Sequence, residues 1–354
     1  MESVVRDWSQ RIRASAASMH PFRLRGGGSK DFYGQTLEGE VFDTRAYAGI
    51  VAYEPSELVI TACCGAKLTE IESAMSEHRQ MLAFEPPHFG EAATLGGMVA
   101  AGLSGPRRQA AGALRDFVLG VKIMDGRGEA LAFGGQVMKN VAGYDVSRLM
   151  AGSLGTLGLI LEASLKALPL AAAEASLRLE LPEDKAIAQL NRWGGKPLPI
   201  SASAWTGGEL GVRLSGAAAA VAAAREKIGG EPIDAAQAER FWAGIREQTD
   251  PFFGNDAPLW RISVPSATPP LKLQGEQMIE WGGALRWLFS NADARTVREA
   301  AMRAGGHATL FRSSDKSVGV FQTLAPALMK IHRELKREFD PQGIFNRGRM
   351  YPEL

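Results

Sequence analysis

The stretch FEPPHFGEAATLGGMVAAGLSGPRR, Phe84–Arg108, is dominated by small residues in its second half. We call Thr94–Gly105 loop two. Three more clusters of glycine and small polar residues are loop one (Arg25–Ser29), loop three (Lys139–Asp145) and loop four (Gly152–Gly158). Each cluster alone is as well explained by hairpin turns as by a ligand site. Four clusters in this order predict that their backbones line one elongated ligand, because glycine places no Cβ in the way.

The two commonest nucleotide-binding loops are absent. No segment matches G-x-G-x-x-G at a strand-to-helix turn, which disfavours a nicotinamide dehydrogenase. Gly26-Gly27-Gly28-Ser29-Lys30 does not fit the G-x-x-x-x-G-K-[ST] phosphate loop. Its consecutive glycines still allow neighbouring backbone N–H groups to converge on an anion.

The whole-chain composition is that of an ordinary globular protein. The 354 residues are 45% hydrophobic and predict two domains. A formal net charge of +1 gives no reason to expect nucleic acid or an anionic membrane as the main partner.

The cysteines and the N-terminus point to a reducing cytoplasm. Cys63 and Cys64 are adjacent, which disfavours a disulfide, and two thiols cannot supply the ligands of an iron–sulfur cluster or a structural zinc site. No metal site is expected. The first residues do not form a signal peptide, and no apolar run has the length of a membrane span. Any membrane association would be peripheral, at the inner face of the cell membrane, or through a partner.

Hydrophobic patterning divides the chain near Leu170. Before it, the pattern predicts a strand over 57–65, a helix over 67–80, a hairpin over 117–135 and a strand over 155–170. After it, alanine-rich helices alternate with strands, which predicts an antiparallel sheet with helices on one face. In a last helix, an apolar stripe is expected from Leu328, Ile331, Leu335 and Phe339.

The four loops together resemble the FAD-binding domain of the vanillyl-alcohol oxidase/p-cresol methylhydroxylase flavoprotein family, over about Pro21–Pro169. Phe84–Arg108 and VMKNVAGYDVSRLMAGSLGTLGLI, residues 137–160, are similar more narrowly to FAD-binding subunits of bacterial three-component glycolate oxidases. The resemblance implies an α+β fold: a two-part FAD-binding domain of the p-cresol methylhydroxylase type, then a smaller α+β cap domain with an antiparallel sheet. The implied ranges are 1–172, 173–330 and a segment 331–354 that returns to the FAD domain.

The resemblance also implies roles for single residues. Loop one would bind the FAD pyrophosphate, parts of loop two would line the flavin and ribityl chain, and loop four would reach the adenosine. Arg107 would either neutralise pyrophosphate or belong, with Arg108, to a solvated pair; Asp145 would either bind cofactor or hold its own loop. The full set of implied cofactor residues is Arg25, Gly26, Gly27, Gly28, Ser29, Thr94, Leu95, Gly96, Gly97, Gly102, Ser104, Arg107, Lys139, Tyr144, Gly152, Gly158 and Ile160.

FAD is expected to be bound without a covalent bond to the protein. Relatives with a tethering histidine carry it in the first loop, where this chain has only glycine. Cys63 and Cys64 are expected to be buried core.

The catalytic residues are unknown from sequence. Catalytic relatives carry H-x-G-D-G-N-x-H in the cap, and nothing similar occurs here. His307, Arg261 and Arg312 are candidates. A histidine at a strand edge is the plainer interpretation of His307, and structural ion pairs are the plainer interpretation of Arg261 and Arg312, as of Arg286.

The resemblance implies a subunit of a glycolate-oxidising complex, with a sister FAD-containing hydroxy-acid oxidase subunit and an iron–sulfur subunit as partners. The alternatives are a self-sufficient FAD-dependent oxidase of another 2-hydroxy acid or alcohol, and a non-catalytic structural subunit.

Overall fold

The computed structural model describes residues 2–135 and 145–354. It divides into two compact units: Met1–Leu103, Ala113–Pro169 and Thr323–Leu354 form the first, and Ser104–Gly112 with Leu170–Gln322 form the second. The functional ranges expected from sequence, 1–172, 173–330 and 331–354, stay a prediction. The segment Ser104–Gly112, which begins with the last two residues of loop two, groups with the second unit.

The elements up to Pro169 are mostly short. In chain order they are α1 (Glu2–Ser18), β1 (Phe22–Arg25), β2 (Glu40–Asp43), β3 (Ile50–Glu54), β4 (Val59–Cys63), α2 (Leu68–Glu77), β5 (Gln80–Met81), α3 (Leu95–Ala101), α4 (Arg108–Ala111), β6 (Val118–Met124), β7 (Ala130–Gly134), α5 (Ser147–Met150), β8 (Leu159–Lys166) and β9 (Leu168–Pro169).

The remaining elements belong to the second unit, apart from the last helix. They are β10 (Ala173–Glu180), α6 (Glu183–Gly194), β11 (Ile200–Thr206), β12 (Glu209–Gly216), α7 (Ala218–Ile228), β13 (Glu231–Ile233), α8 (Ala235–Glu247), β14 (Leu259–Ser263), β15 (Glu276–Glu280), β16 (Leu285–Phe289), α9 (Ala294–Arg303), β17 (His307–Arg312) and α10 (Pro326–Phe339).

The first unit contains a five-stranded sheet in the order β3-β4-β8-β6-β7, with antiparallel pairs, and a parallel pair β1-β2. The predicted hairpin is confirmed as β6–β7, where Asp125 accepts from the backbone N–H groups of Arg127 and Glu129. The predicted helix is confirmed as α2, which buries Leu68, Ile71 and Met75. The first unit therefore combines helices with an antiparallel sheet, as expected for an α+β fold.

The second unit is built on an antiparallel sheet in the order β13-β10-β12-β11-β15-β16-β14-β17. The prediction that helices cover one face is wrong for α8. Leu177 packs with α6 and α7, whereas Trp242 of α8 donates its indole N–H to Ser176. Ser176 and Leu177 are neighbours on β10, and neighbours on a strand point to opposite faces. Helices therefore lie on both faces.

The expected stripe of the last helix is wrong for Leu328 and Ile331 and right for Phe339. Leu328 is 49% exposed and Ile331 is 51% exposed, and α10 buries Met329 and Lys336 together with Phe339. The tertiary structure selects this face because the Lys336 ammonium finds buried acceptors: the carbonyls of Thr156 and Phe345 and the Asp340 carboxylate, each at 2.7–2.8 Å. Hydrophobic periodicity could not anticipate a lysine on the buried side.

Candidate functional site: a ring of glycine loops in the first unit

Loop one meets loop two through positions that have no side chain. A Cβ on Gly27 would stand 1.5 Å from the Ala92 carbonyl oxygen, and one on Gly26 would stand 2.3 Å from Thr94 Oγ1. Only glycine permits this approach. The glycine run is therefore required by packing against the start of loop two, a reason that the sequence did not reveal.

Loop two in turn meets loop four. Gly102, at the end of α3, has φ +64°, and a Cβ there would stand 2.7 Å from Gly152. Gly152 N–H donates to Val99 at 3.0 Å and Leu154 N–H donates to Ala100 at 2.8 Å. A Cβ on Gly152 would itself meet nothing within 4 Å, so only its φ of +85° favours glycine there.

The C-terminal segment closes the ring. Asn346 accepts from the backbone N–H of Leu24, just before loop one, at 2.8 Å, and donates to the Leu154 carbonyl in loop four at 2.6 Å. Arg349 donates to the carbonyls of Lys30, Asp31 and Gln35 at 2.9–3.3 Å. Burial and the neighbouring Arg23 lower the pKa of Arg349, although Asp31 opposes the effect. Loops one, two and four and this segment thus form one continuous set of contacts.

Loop one is suited to an anion. Within the described ranges, the backbone N–H groups of Gly26, Gly27, Gly28 and Ser29 donate no hydrogen bond to the protein, although these residues are partly buried. Backbone donors in such positions are normally paired, so consecutive unused donors fit the oxygens of a pyrophosphate. By contrast, Leu95 and Gly96 in loop two donate to the carbonyls of Ala66 and Cys64.

Other predicted cofactor residues have protein partners of their own. Arg25 pairs with Asp31 at 2.6 Å. A Cβ on Gly158, which precedes β8, would stand 3.0 Å from the Met124 carbonyl, and Ile160 pairs with Ile123 across the sheet. These contacts with β6 are enough to explain the positions of Gly158 and Ile160, and the cofactor role of both residues stays a prediction.

Arg107 and Ser104 fall in the segment that groups with the second unit. Arg107 is buried and donates to Glu174 at 2.6 Å and to Ser215 at 2.9 Å. The solvated alternative is therefore wrong for Arg107, and a pyrophosphate would have to compete with Glu174 for it. Burial acts to raise the pKa of the Glu174 carboxyl, but its hydrogen bonds with Arg107 and Ser215 outweigh burial and lower the pKa.

Loop three is largely outside the described residues, and this includes Lys139 and Tyr144. Asp145 is described: it accepts from Ser147 Oγ at 2.7 Å and pairs with Arg148 at 2.8 Å. These contacts favour its alternative role of holding its own loop.

The cysteines are buried in the first unit's core beside Tyr47, as expected. Burial raises the pKa of the Cys64 thiol to about 12, which leaves no reactive thiolate at neutral pH. Among residues 2–135 and 145–354, no group of three or more histidine, cysteine, aspartate or glutamate side chains is arranged to hold a metal ion. The helices in these ranges are all too short or too polar to cross a membrane.

The catalytic candidates His307, Arg261 and Arg312 lie on β14 and β17, the two strands at one edge of the second unit's sheet, but His307 and Arg312 are at opposite ends of β17. His307 begins the edge strand β17, as its plainer interpretation predicted, and burial together with the Arg261 charge lowers its pKa. Arg312 donates to Gln248 at 2.8 Å. Arg286 lies 3.6 Å from Glu183, so the structural ion pair is confirmed for it; burial lowers its pKa to about 10.

Comparison with known proteins identifies the family. The chain is 48% identical to the glycolate oxidase subunit GlcE of Escherichia coli over 352 residues, which is 98% of this chain and 99% of that protein. This chain belongs to the GlcE family. Residues 5–134 also match the model of the FAD binding domain, so FAD is the cofactor of the first unit. The family is one of FAD-dependent oxidoreductases, and the resemblance on which the fold was predicted is confirmed.

More distant relatives share a part of the chain. A D-lactate dehydrogenase of Archaeoglobus fulgidus is 34% identical over 152 residues, which is 42% of this GlcE-family chain and 33% of that protein. The solved structure of an alkyldihydroxyacetonephosphate synthase superposes with a TM-score of 0.66 at 14% identity, covering 96% of this chain and 74% of the other. That likeness concerns the fold alone, and it confirms the predicted fold class.

Proposed function

We propose that this chain is the FAD-binding subunit of a glycolate oxidase complex and supports the oxidation of glycolate to glyoxylate. The observation that carries the proposal is near full-length identity to a protein named as a glycolate oxidase subunit, combined with the unused N–H donors of loop one. Bound FAD would supply the hydride acceptor for this oxidation.

The chain's own residues would hold FAD without a covalent bond. Gly26–Ser29 would donate backbone hydrogen bonds to the pyrophosphate, and Thr94, Gly97 and Gly152 would border the cofactor. Asn346 and Arg349 would keep loops one and four at their present separation. Glycine has no side chain that could attack the flavin, and burial raises the pKa of the Cys63 and Cys64 thiols, which disfavours the nucleophilic thiolate. Denaturation with acid should release all the flavin into the supernatant; yellow colour retained on the chain would contradict non-covalent binding.

The partners would be a sister FAD-containing subunit with the hydroxy-acid site and an iron–sulfur subunit that carries electrons onward. This chain lacks the cysteines for an iron–sulfur cluster. We place the complex in the cytoplasm or peripherally on the inner face of the cell membrane. No observation favours the non-catalytic alternative over one in which the flavin relays electrons.

The decisive experiment compares the isolated chain with the co-purified complex. Both are assayed for flavin absorbance and for glycolate-dependent dye reduction. The proposal predicts flavin in the isolated chain and turnover in the complex. Full glycolate turnover by the isolated chain would overturn the need for partner subunits, and a complex that does not oxidise glycolate would overturn the proposed function.

A further inference from the structure

The segment Ser104–Gly112 joins loop two to the second unit. Loop two begins in the first unit, where Leu95 and Gly96 donate their N–H groups to carbonyls of that unit. Its last two residues belong to the second unit, and the peptide bond between Leu103 and Ser104 links the two parts. A loop that is expected to border FAD is therefore held by a different unit at each end.

The first contact of the segment holds Gly105, the last residue of loop two. Its carbonyl accepts from the indole N–H of Trp281 at 3.1 Å. The Cζ of Arg108 lies 4.2 Å from the centroid of the same ring and the Cζ of Arg261 lies 5.2 Å from it, within the range of cation–π attraction. We call Arg108, Arg261 and Trp281 the arginine–tryptophan cluster. Trp281 adopts φ +52°, a conformation that is rare for a bulky residue and persists only where the surroundings enforce it.

The second contact holds Gln109, which lies in the helix α4. Gln109 Oε1 accepts from Ser203 Oγ at 2.6 Å, and the same Ser203 oxygen accepts from the Gly282 N–H at 3.0 Å. Ser203 is fully buried in β11, and Gly282 follows Trp281 directly in the chain. One hydroxyl group thus connects the segment, a strand of the sheet and the turn that carries the Trp281 ring.

The third contact is an ion pair between Arg107 and Glu174. Arg107 donates from Nη2 to Glu174 Oε1 at 2.6 Å and from Nη1 to Ser215 Oγ at 2.9 Å. Ser215 Oγ donates to the same Glu174 oxygen at 2.7 Å, and strand register places Glu174 of β10 directly opposite Ser215 of β12. The three groups therefore form a closed triangle, and hydrogen bonds to charged groups are stronger than those between neutral groups. If the segment left the sheet, all of the contacts between Arg107 and these two strands would be lost.

We propose that these three contacts form a clamp by which the second unit fixes the end of loop two in its FAD-binding conformation, with Arg107 and Glu174 as positioning residues. When the clamp is open, only a fraction of the molecules has loop two in the binding conformation, and the apparent FAD dissociation constant rises by the inverse of that fraction. Linkage is reciprocal, so FAD bound to the first unit also stabilises the clamped second unit. The clamp requires FAD but not the oxidation of glycolate, so a complex that does not oxidise glycolate would leave this proposal unchanged.

The test follows the unfolding of the second unit in the full-length chain. Tryptophan emission reports mainly on this unit, because all the tryptophans except Trp8 lie in it: Trp193, Trp205, Trp242, Trp260, Trp281 and Trp287. The wavelength of maximum emission is recorded across a urea titration, without FAD and at increasing FAD concentrations. The urea midpoint should rise with the logarithm of the FAD concentration once this exceeds the dissociation constant. A midpoint that FAD does not move would overturn the proposal.

The main variant is Glu174→Gln, and Glu209→Gln is the matched control. Glu209 is an exposed residue of β12 that lies 3.8 Å from Arg178, so its replacement removes a carboxylate from the same sheet with the same change in net charge. The Glu174 side chain is 45% exposed and solvent screens part of its charge, so we expect Glu174→Gln to weaken FAD binding by about three- to tenfold. It should also diminish the rise in urea midpoint that FAD causes, whereas Glu209→Gln should alter neither quantity. Equal effects in the two variants, or an undiminished rise in Glu174→Gln, would overturn the clamp.

Two further measurements separate positioning from a general loss of stability. Ser203→Ala breaks the contact with Gln109 without changing a charge, so it decides the question if Glu174→Gln does not fold. The visible circular dichroism of the bound flavin reports on the geometry at Ser104, the predicted flavin-lining residue, and should change in Glu174→Gln and Ser203→Ala but not in Glu209→Gln. A lowered urea midpoint with an unaltered flavin spectrum would make the contacts purely structural and overturn the positioning role.

Discussion

The ring of glycine loops in the first unit and the arginine–tryptophan cluster in the second are built from different parts of the chain. The ring is formed mainly by backbone atoms: Gly27 lies against the Ala92 carbonyl, Gly102 lies against Gly152, and four N–H groups of loop one donate to no acceptor within the described residues. Only its closing contacts, from Asn346 and Arg349, are made by side chains. The cluster consists of side chains from three separate elements around Trp281. Glycine spacing can encode the first directly, whereas the second exists only once a sheet and the segment 104–112 have come together.

The two regions should therefore respond differently to substitution. In the ring, a substitution that adds a Cβ where two loops touch should disrupt the structure, whereas most changes of charge should have little effect. In the side-chain cluster, changes of side-chain size at the rim should have little effect, whereas the loss of any one charge should matter. The predictions below run from the largest expected effect to the smallest.

Gly27→Ala should abolish FAD binding. The new Cβ would overlap the Ala92 carbonyl, so loop one must move away from loop two. We expect the FAD content to fall below roughly a tenth and the apoprotein to lose about 3 kcal/mol of unfolding free energy, measured by absorbance and urea denaturation. Unchanged FAD content would refute the role of loop one.

Gly97→Ala is the matched comparison within loop two. Its Cβ would meet only Thr94 Oγ1, at 3.3 Å, and alanine favours the helix α3 by about 0.5–1 kcal/mol. The apoprotein should therefore unfold at an equal or higher urea concentration while FAD affinity falls. If FAD affinity is unaltered, Gly97 does not border the cofactor.

Lys336→Met should show that the ring also needs one buried charge. The substitution leaves the Asp340 carboxylate buried without its cation, which should lower the unfolding free energy by about 3–5 kcal/mol. Lys330→Met is the control, because Lys330 is exposed and 3.9 Å from Glu334, and a change within about 0.5 kcal/mol is expected. Equal effects in urea unfolding would show that the Lys336 network contributes nothing.

Arg349→Gln should loosen loop one without unfolding the chain. It removes donors to the carbonyls of Lys30, Asp31 and Gln35, and the FAD dissociation constant should rise about tenfold. Arg347→Gln is the control, since Arg347 donates to the carbonyls of Gly343 and Gln342 in its own turn and to no other acceptor in the described part of the chain. Titration of flavin fluorescence distinguishes them; a lower melting temperature with unaltered FAD affinity would make Arg349 a purely structural residue.

The smallest expected effect is the pH dependence that arises from the lowered pKa of His307. It should lie below 6.5 in the folded chain, so the unfolded state takes up the proton first and the folded state loses stability as pH falls below about 6.5. Arg261→Gln should raise this pKa, because it removes a neighbouring positive charge. NMR titration measures both values, and an unaltered pKa in the variant would separate His307 from the cluster.

Much of the first unit was predictable from sequence because its signals are local. The periodicity of α2 and the turn of the β6–β7 hairpin are properties of short segments, and both predictions are confirmed. The stripe of α10 was predicted wrongly because its buried face is chosen by Lys336 and its distant acceptors Thr156 and Phe345. The helix α8 was assigned to the wrong face because periodicity says which residues are buried but not on which side of a sheet.

By itself, the sequence determined the FAD-binding fold and the glycine positions of the cofactor loops, since a glycine run and its spacing are written directly in the chain. Only the tertiary structure decided why Gly27 must be glycine, that Asn346 and Arg349 return to loop one across more than three hundred residues, and that Arg108 and Arg261 share one indole ring. Contacts between residues far apart in sequence have no local signature, because they arise from packing and not from the conformational preferences of neighbours.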